Sequence, residues 1–321
     1  MQVRLSQQLV ALTCAASVFP ALLLLLSLAP ALASEPEVRD RACPEFASGE
    51  SRGRIASNQI KEASGIAASH RNPGVYYVHN DSGDRARIFA IDETGRDLGT
   101  YLLAGARHSD WEDIAVGPAR GEPGTFVYVA DIGDNERRRR WVTVYRVPEP
   151  EISLARTGGT HSLTGGLALR MRYPGATAHD AETLLVDPES SDLFIVTKET
   201  RGQSRVFRYP APHRPKELVT LEEVGALQLG PSDIPAGKWV TGGDISLRRN
   251  QIVLRTYSHV FLWNRSPGQS IGQAISEPPC AMPQRREPQG EAICWSLDES
   301  GYITVSEKLH QPLYFFSRTP P

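Results

Sequence analysis

DWEDIAVGPARGEPGTFVYVADIGDN, residues 110–135, is the stretch whose reading decides the fold. Two β-like runs, 114–117 and 125–130, flank a turn rich in glycine and proline. Antiparallel pairing of the two runs brings Asp110, Glu112 and Asp113 beside Asp131 and Asp134 at one end. The same order of acid, strand, turn, strand and acid recurs along the chain. Aligned on the first strand, the units are anchored at Ile66, Ile114, Leu184, Ile245 and Ile293, with spacings of 48, 70, 61 and 48 residues. That is room for about four short strands per unit, the size of a propeller blade.

Each unit then divides at turn-forming residues. The first holds GIAAS (65–69), VYYVHND (75–81), RIFAID (87–92) and LGTYLLAG (98–105). The second holds DIAVG (113–117), TFVYVAD (125–131), WVTVYRV (141–147) and LALRMRY (167–173). TLLVD (183–187), LFIVTKE (193–199), SRVFRYP (204–210) and a run over 218–224 make the third. DISL (244–247), QIVLRTY (251–257), HVFLW (259–263) and a weak edge strand over 271–275 make the fourth. The fifth has AICWSLD (292–298), GYITVSEK (301–308) and PLYFFS (312–317) and lacks a last strand, which residues 53–56 can supply. Such closure removes free sheet edges. The expected fold is all-β: one propeller of five visible blades, closed by an N-terminal strand, with room for a sixth blade in residues 148–178 or 210–239. A β-sandwich would account for the strands but not for their recurrence.

Ahead of the propeller (53–321) stand a polar tail (34–52) and an apolar leader (1–33). Arg4 is the leader's only early charge, an apolar run spans 9–32, and Ala31-Leu32-Ala33 offers small residues for cleavage. It reads as a signal peptide, with an uncleaved membrane anchor as the alternative. A secreted or periplasmic protein is expected, off the membrane once the signal is cleaved. Cys43, Cys280 and Cys294 remain after cleavage, so one disulfide and one thiol are expected, with the pairing open. A formal charge of −2 argues against nucleic acid as a partner. A monomer holding a small molecule or protein ligand at the channel mouth is expected instead.

In a blade, residues before the first strand and after the second share one face. The recurrent acids occupy those places: Glu62, Asp110, Glu112, Asp180, Glu182, Asp244 and Glu291 before, and Asp81, Asp131, Glu199 and Glu307 after. Crowded carboxylates need a cation, a basic side chain or a raised pKa. An all-oxygen donor set with no His/Cys pattern favours Ca2+ or Mg2+ over zinc. The competing expectation is that these acids accept backbone N–H bonds from neighbouring blades and lock the ring. Departures from the repeat point to function: His108, His179, Lys198 and Arg255 are the catalytic candidates, and Arg137, Arg138, Arg139, Arg140 and Lys308 the anion-binding ones. Tyr257, His79 and His259 depart from it too. Walker, Rossmann, HExxH and CxxC patterns are absent, and Gly49-Glu50-Ser51-Arg52-Gly53 lacks the strand and helix of a nucleophile elbow.

EASGIAAS, DWEDIAVG with VYVADIGDN, DAETLLVD with LFIVTKE, TGGDISL with VLRTY, and QGEAICW with ITVSEK together resemble exported bacterial β-propeller proteins. Over residues 55–316 the chain is loosely similar to the calcium-dependent propeller phytases and other six-bladed extracellular propellers. The resemblance implies acidic, calcium-binding sites at the channel mouth, although no phytase catalytic motif maps onto this chain residue by residue. The expected function is ligand or partner binding at that mouth through Ca2+, and the alternative is a metal-dependent hydrolase, most plausibly a phosphoesterase.

Overall fold

Five sheets, each built on an antiparallel four-strand blade, stand around one axis, each with its first strand innermost. The computed structural model describes residues 43–199, 203–227, 229, 235–248 and 250–320, so the expected leader lies outside the described residues. An N-terminal strand, β1 (Glu50–Arg54), precedes the first blade. Blade 1 contains β2 (Ala63–Ala68), β3 (Val75–Asn80), β4 (Arg87–Asp92) and β5 (Asp97–Leu103). Blade 2 contains β6 (Trp111–Ala119), β7 (Glu122–Asp131) and β8 (Val142–Pro148); β9 (Thr160–Leu163) follows in the chain, and β10 (Leu167–Arg172) completes the blade. Blade 3 has β11 (Ala181–Val186), β12 (Leu193–Thr197) and β13 (Arg205–Tyr209), then β14 (Leu218–Thr220) intervenes before its last strand, β15 (Glu222–Ala226). Blade 4 has β16 (Val240–Ile245), β17 (Gln251–Thr256), β18 (Val260–Asn264) and β19 (Cys280–Met282), and blade 5 has β20 (Gly290–Trp295), β21 (Gly301–Ser306) and β22 (Pro312–Ser317). The innermost strands β2, β6, β11, β16 and β20 each pack on the next, and β20 returns to β2.

The N-terminal strand closes the ring as expected, pairing antiparallel with β22. It begins at Glu50 rather than Gly53. Its side chains are mostly solvent-exposed, so no apolar pattern marks it in the sequence.

The core is divided into five clusters, one in each gap between blades. Strand β12 shows why the inner strands read as unbroken apolar runs. Leu193 and Ile195 face the cluster shared with blade 2, whereas Phe194 and Val196 face the one shared with blade 4. Alternation persists, but both faces are buried.

The stretches that left room for a sixth blade form none among the described residues. In 148–178, β9 adds in parallel to the outer edge of blade 1 before the chain returns as β10. In 210–239, β14 adds in parallel to β10, and β15 then completes blade 3. Residues 271–275, expected as an edge strand, instead form a helix, α1 (Ile271–Ile275). Ser270 caps it, accepting from Gln273 N while the Gln273 side chain accepts from Ser270 N, a capping box that overrides the β-like composition. Helix α1 packs on β15, so it too lies against the preceding blade's outermost strand.

Cys43 and Cys280 are joined by a disulfide across 237 residues, tying the chain ahead of β1 to β19. Cys294 is the buried free thiol. The disulfide fits an oxidising compartment. Among the described residues, no helix is long and apolar enough to cross a membrane.

Candidate functional site at the channel mouth

Every innermost strand starts with a register shift against its partner. The shifts fall between Ala63 and Gly65, Trp111 and Asp113, Ala181 and Thr183, Val240 and Gly242, and Gly290 and Ala292. A bulge re-aims the extra side chain and ends regular pairing. The bulged residues are Ser64, Glu112, Glu182, Thr241 and Glu291, all buried. The two hydroxyls staple neighbouring blades: Ser64 Oγ donates to Glu112 O at 2.8 Å, and Thr241 Oγ1 donates to Gly290 O at 3.0 Å. The three glutamates stand at the equivalent places in blades 2, 3 and 5.

The same registers fix which residues flank the bulges. Glu62, Asp110, Asp180, Trp239 and Gln289 precede the first strands, and Asp81, Ile132, Lys198, Tyr257 and Glu307 follow the second. Asp131 and Glu199, expected to share a place with Asp81 and Glu307, are each one residue out of step with it. Trp239 and the bulge positions as a class were missed by the sequence reading, because a bulge leaves no residue-type signature.

Part of this mouth carries its own positive charge. Lys198 Nζ donates to Glu182 Oε1 at 2.5 Å and to the Tyr257 hydroxyl at 2.8 Å. Burial alone would lower the Lys198 pKa, but the Glu182 charge and hydrogen bond raise it. Arg139 pairs with Asp131 at 2.9 Å, and Arg137 with Glu199 at 2.8 Å. His179 Nδ1 lies 3.1 Å from Glu199 Oε1, which places this candidate base against an acid already held by arginine. The arginine loop is itself organised, since the Asp134 carboxylate accepts from Arg138 N and Arg139 N while Asp134 N donates to Asp180. Arg138 pairs with Glu136, and Arg140 is exposed.

The side formed by blades 5, 1 and 2 differs. Among the described residues, Glu62, Asp81, Asp110, Glu112 and Glu307 have no lysine, arginine or histidine within ion-pair distance. Asp81, Asp110 and Glu112 each offer an oxygen, all within 4.8 Å of one another. Glu112 is 3% exposed, and its carboxylate makes no hydrogen bond among the described residues. Burial, then the Asp81 charge, pushes the Asp110 pKa up to about 6. Burial and the neighbouring Glu182 and Asp81 hold Glu112 well above the usual carboxylate range. Glu307 is raised to about 7 by burial and by Glu291. Burial likewise raises Glu182 and Glu291. Gly133 backs the cluster: a Cβ there would stand 2.1 Å from Glu112 Oε1 and 2.5 Å from Asp110 Oδ2. An all-carboxylate set with one buried, unpartnered glutamate fits a hard divalent cation.

Other expected site residues serve the ring. Asp244 accepts from Ile245 N at 2.8 Å and Trp295 N at 2.9 Å, joining blades 4 and 5. Burial raises its pKa to about 7 even so. Asp113 does the same for blades 2 and 3, accepting from Ile114 N and Leu184 N. Arg255 is fully buried, donating to Glu287 Oε2 at 2.7 Å and Ala292 O at 2.9 Å. Gly290 makes room for it, since a Cβ there would lie 1.8 Å from Arg255 Nη2. His108 packs on Trp111 at a tilt of 32°, with ring centroids 4.7 Å apart, and lies 3.3 Å from Asn80 O. Buried His79 meets Trp111 edge-on, and exposed His259 stacks on Phe261. Lys308 is exposed, with its backbone N–H bonded to Lys61 O.

No protein-family model matches this chain, and no curated protein does. Among solved structures it is similar to a gluconolactonase from Xanthomonas campestris, described as important in glucose secondary metabolic pathways. Identity is 11%, the TM-score is 0.45, and the alignment covers 87% of this chain and 96% of that one.

Proposed function

We propose that this propeller binds a divalent cation, Ca2+ by its donor chemistry, through Asp81, Asp110 and Glu112, and through it an oxygen-rich ligand at the channel mouth. The observation that carries this reading is the contrast within one mouth. Glu182, Asp131 and Glu199 have basic partners, whereas among the described residues the three clustered carboxylates have none within ion-pair distance. A bound cation would supply charge compensation and a Lewis acid. Lys198, held by Glu182 and Tyr257, would stand by as the fixed positive charge for an anionic ligand group.

A metal-dependent hydrolase, of the phosphoesterase class, is the second reading. Glu307 at about 7, beside the cluster and not one of its three ligands, favours it, because a general base works best with a pKa near the working pH. The binding reading is tested by calcium titration monitored as thermal stability. A ligand confined to the folded state adds about 2.7 kcal/mol at 100 times its Kd. The wild type should gain stability with Ca2+ and lose that gain with chelator, while Glu112→Gln should stay folded and gain nothing. Equal responses in both proteins would refute the site. Turnover of phosphate esters that depends on Ca2+ would then decide for the hydrolase.

A further inference from the structure

A second cleft lies on the face opposite the acidic mouth, where blades 5 and 1 meet. First strands run away from the mouth and second strands return, so the turns joining them, along with those joining third strands to fourth, lie on the far face. Those turns supply Arg248, Glu93 and the 296–300 loop, and with β1 they enclose a cavity of about 460 Å³. That volume falls within the range of small-molecule sites.

The floor is apolar, made by Tyr76, Ile303 and Phe315. Arg52 lies over the Phe315 ring, its guanidinium carbon 4.3 Å from the centroid, so its N–H edge stays available. Among the described residues, neither the Arg52 nor the Arg248 guanidinium has a carboxylate partner, although the Arg248 backbone N–H donates to Glu299 Oε1 at 2.6 Å, and the Tyr76 hydroxyl makes no hydrogen bond. Asp298 is already engaged by Ser296 Oγ at 2.7 Å and by Ser300 Oγ at 2.8 Å and N at 3.1 Å. Glu93 is then the one lining acid with no partner among the described residues. Three unclaimed donors over an aromatic floor select a particular ligand chemistry.

We propose that this cleft binds a small organic anion with a flat apolar body, such as an aryl carboxylate or sulfonate. The apolar body packs on Phe315, Ile303 and the Tyr76 ring. The anionic group takes the Arg52 fork, with Arg248 and the Tyr76 hydroxyl as further donors.

The test is a fluorescence titration of the folded protein with 1-anilinonaphthalene-8-sulfonate, with 2-naphthoate as competitor. Saturable binding at one site per chain, displaced by 2-naphthoate, is expected. Arg52→Gln combined with Arg248→Gln should weaken it at least tenfold, and Tyr76→Phe should weaken it less. Glu93→Gln should tighten it. The substituted arginines and Glu93 are exposed, and an unchanged melting temperature confirms that each variant is folded. Non-saturable binding, unchanged affinity in the double arginine variant, or equal affinity for 2-naphthylammonium would overturn the proposal.

Discussion

Lys198 Nζ lies 2.5 Å from Glu182 Oε1 within blade 3, and this buried pair divides the mouth into a side that carries its own cation and a side that does not. Removing one member of a buried pair strands the other charge, at a cost of about 3–5 kcal/mol. Lys198→Met should therefore lower stability by about that amount in urea unfolding. Adding Glu182→Gln should restore most of it, and failure of that rescue would show that Lys198 acts through other contacts.

Gly133 should be indispensable to the carboxylate cluster though it carries no chemistry. The Cβ of Gly133→Ala would press on Glu112 and Asp110, displacing both carboxylates. Calcium affinity should fall at least tenfold by calorimetry, with the melting temperature of the chelated protein changed by only a few degrees.

The buried acids of the ring and the mouth set a pH dependence whose sign can be worked out. Asp244 and Glu307 are raised to about 7, and Glu112 and Asp113 stand well above their ordinary range. Between about pH 6.5 and 8 the folded chain holds protons that the unfolded chain has released, so stability falls as pH rises. Below that window His79 and His213, both lowered to about 4, work in the opposite sense. In chelator, the melting temperature should be lower at pH 8 than at pH 6.5. Calcium, which binds the ionised carboxylates, should narrow the gap.

The disulfide closes nearly the whole propeller. Cys43→Ser should cost about 2–5 kcal/mol, measured by urea unfolding. The Cys294 thiol, fully buried and with its pKa raised by that burial, should react with a thiol reagent only after unfolding.

Much of the fold was legible because each blade repeats one local grammar: Gly- and Pro-marked turns between apolar runs with an acid at the first strand's start. The strands of the fifth unit and its missing partner announced the closing strand before any pairing was known. The edge segments were not legible in the same way. Strands β9 and β14 are short pieces whose partners belong to the preceding blade, and α1 depended on a four-residue cap signal inside a β-like stretch.

For the site, local sequence determined that acids would gather at one end of four of the five blades, since strand polarity alone places them there; in blade 4 Trp239 and Tyr257 take those places. It could not say which acids serve the ring and which face one another. Asp113 and Asp244 resemble Asp110 as residues, yet their carboxylates bond the backbone of the next blade. Asp81 belongs to a different blade from Asp110 and Glu112, so only the packing of blade 1 on blade 2 brings the three together. The five bulges and the position of Lys198 then decide where negative charge is compensated, because charge interactions depend on distances across blades that no local pattern encodes.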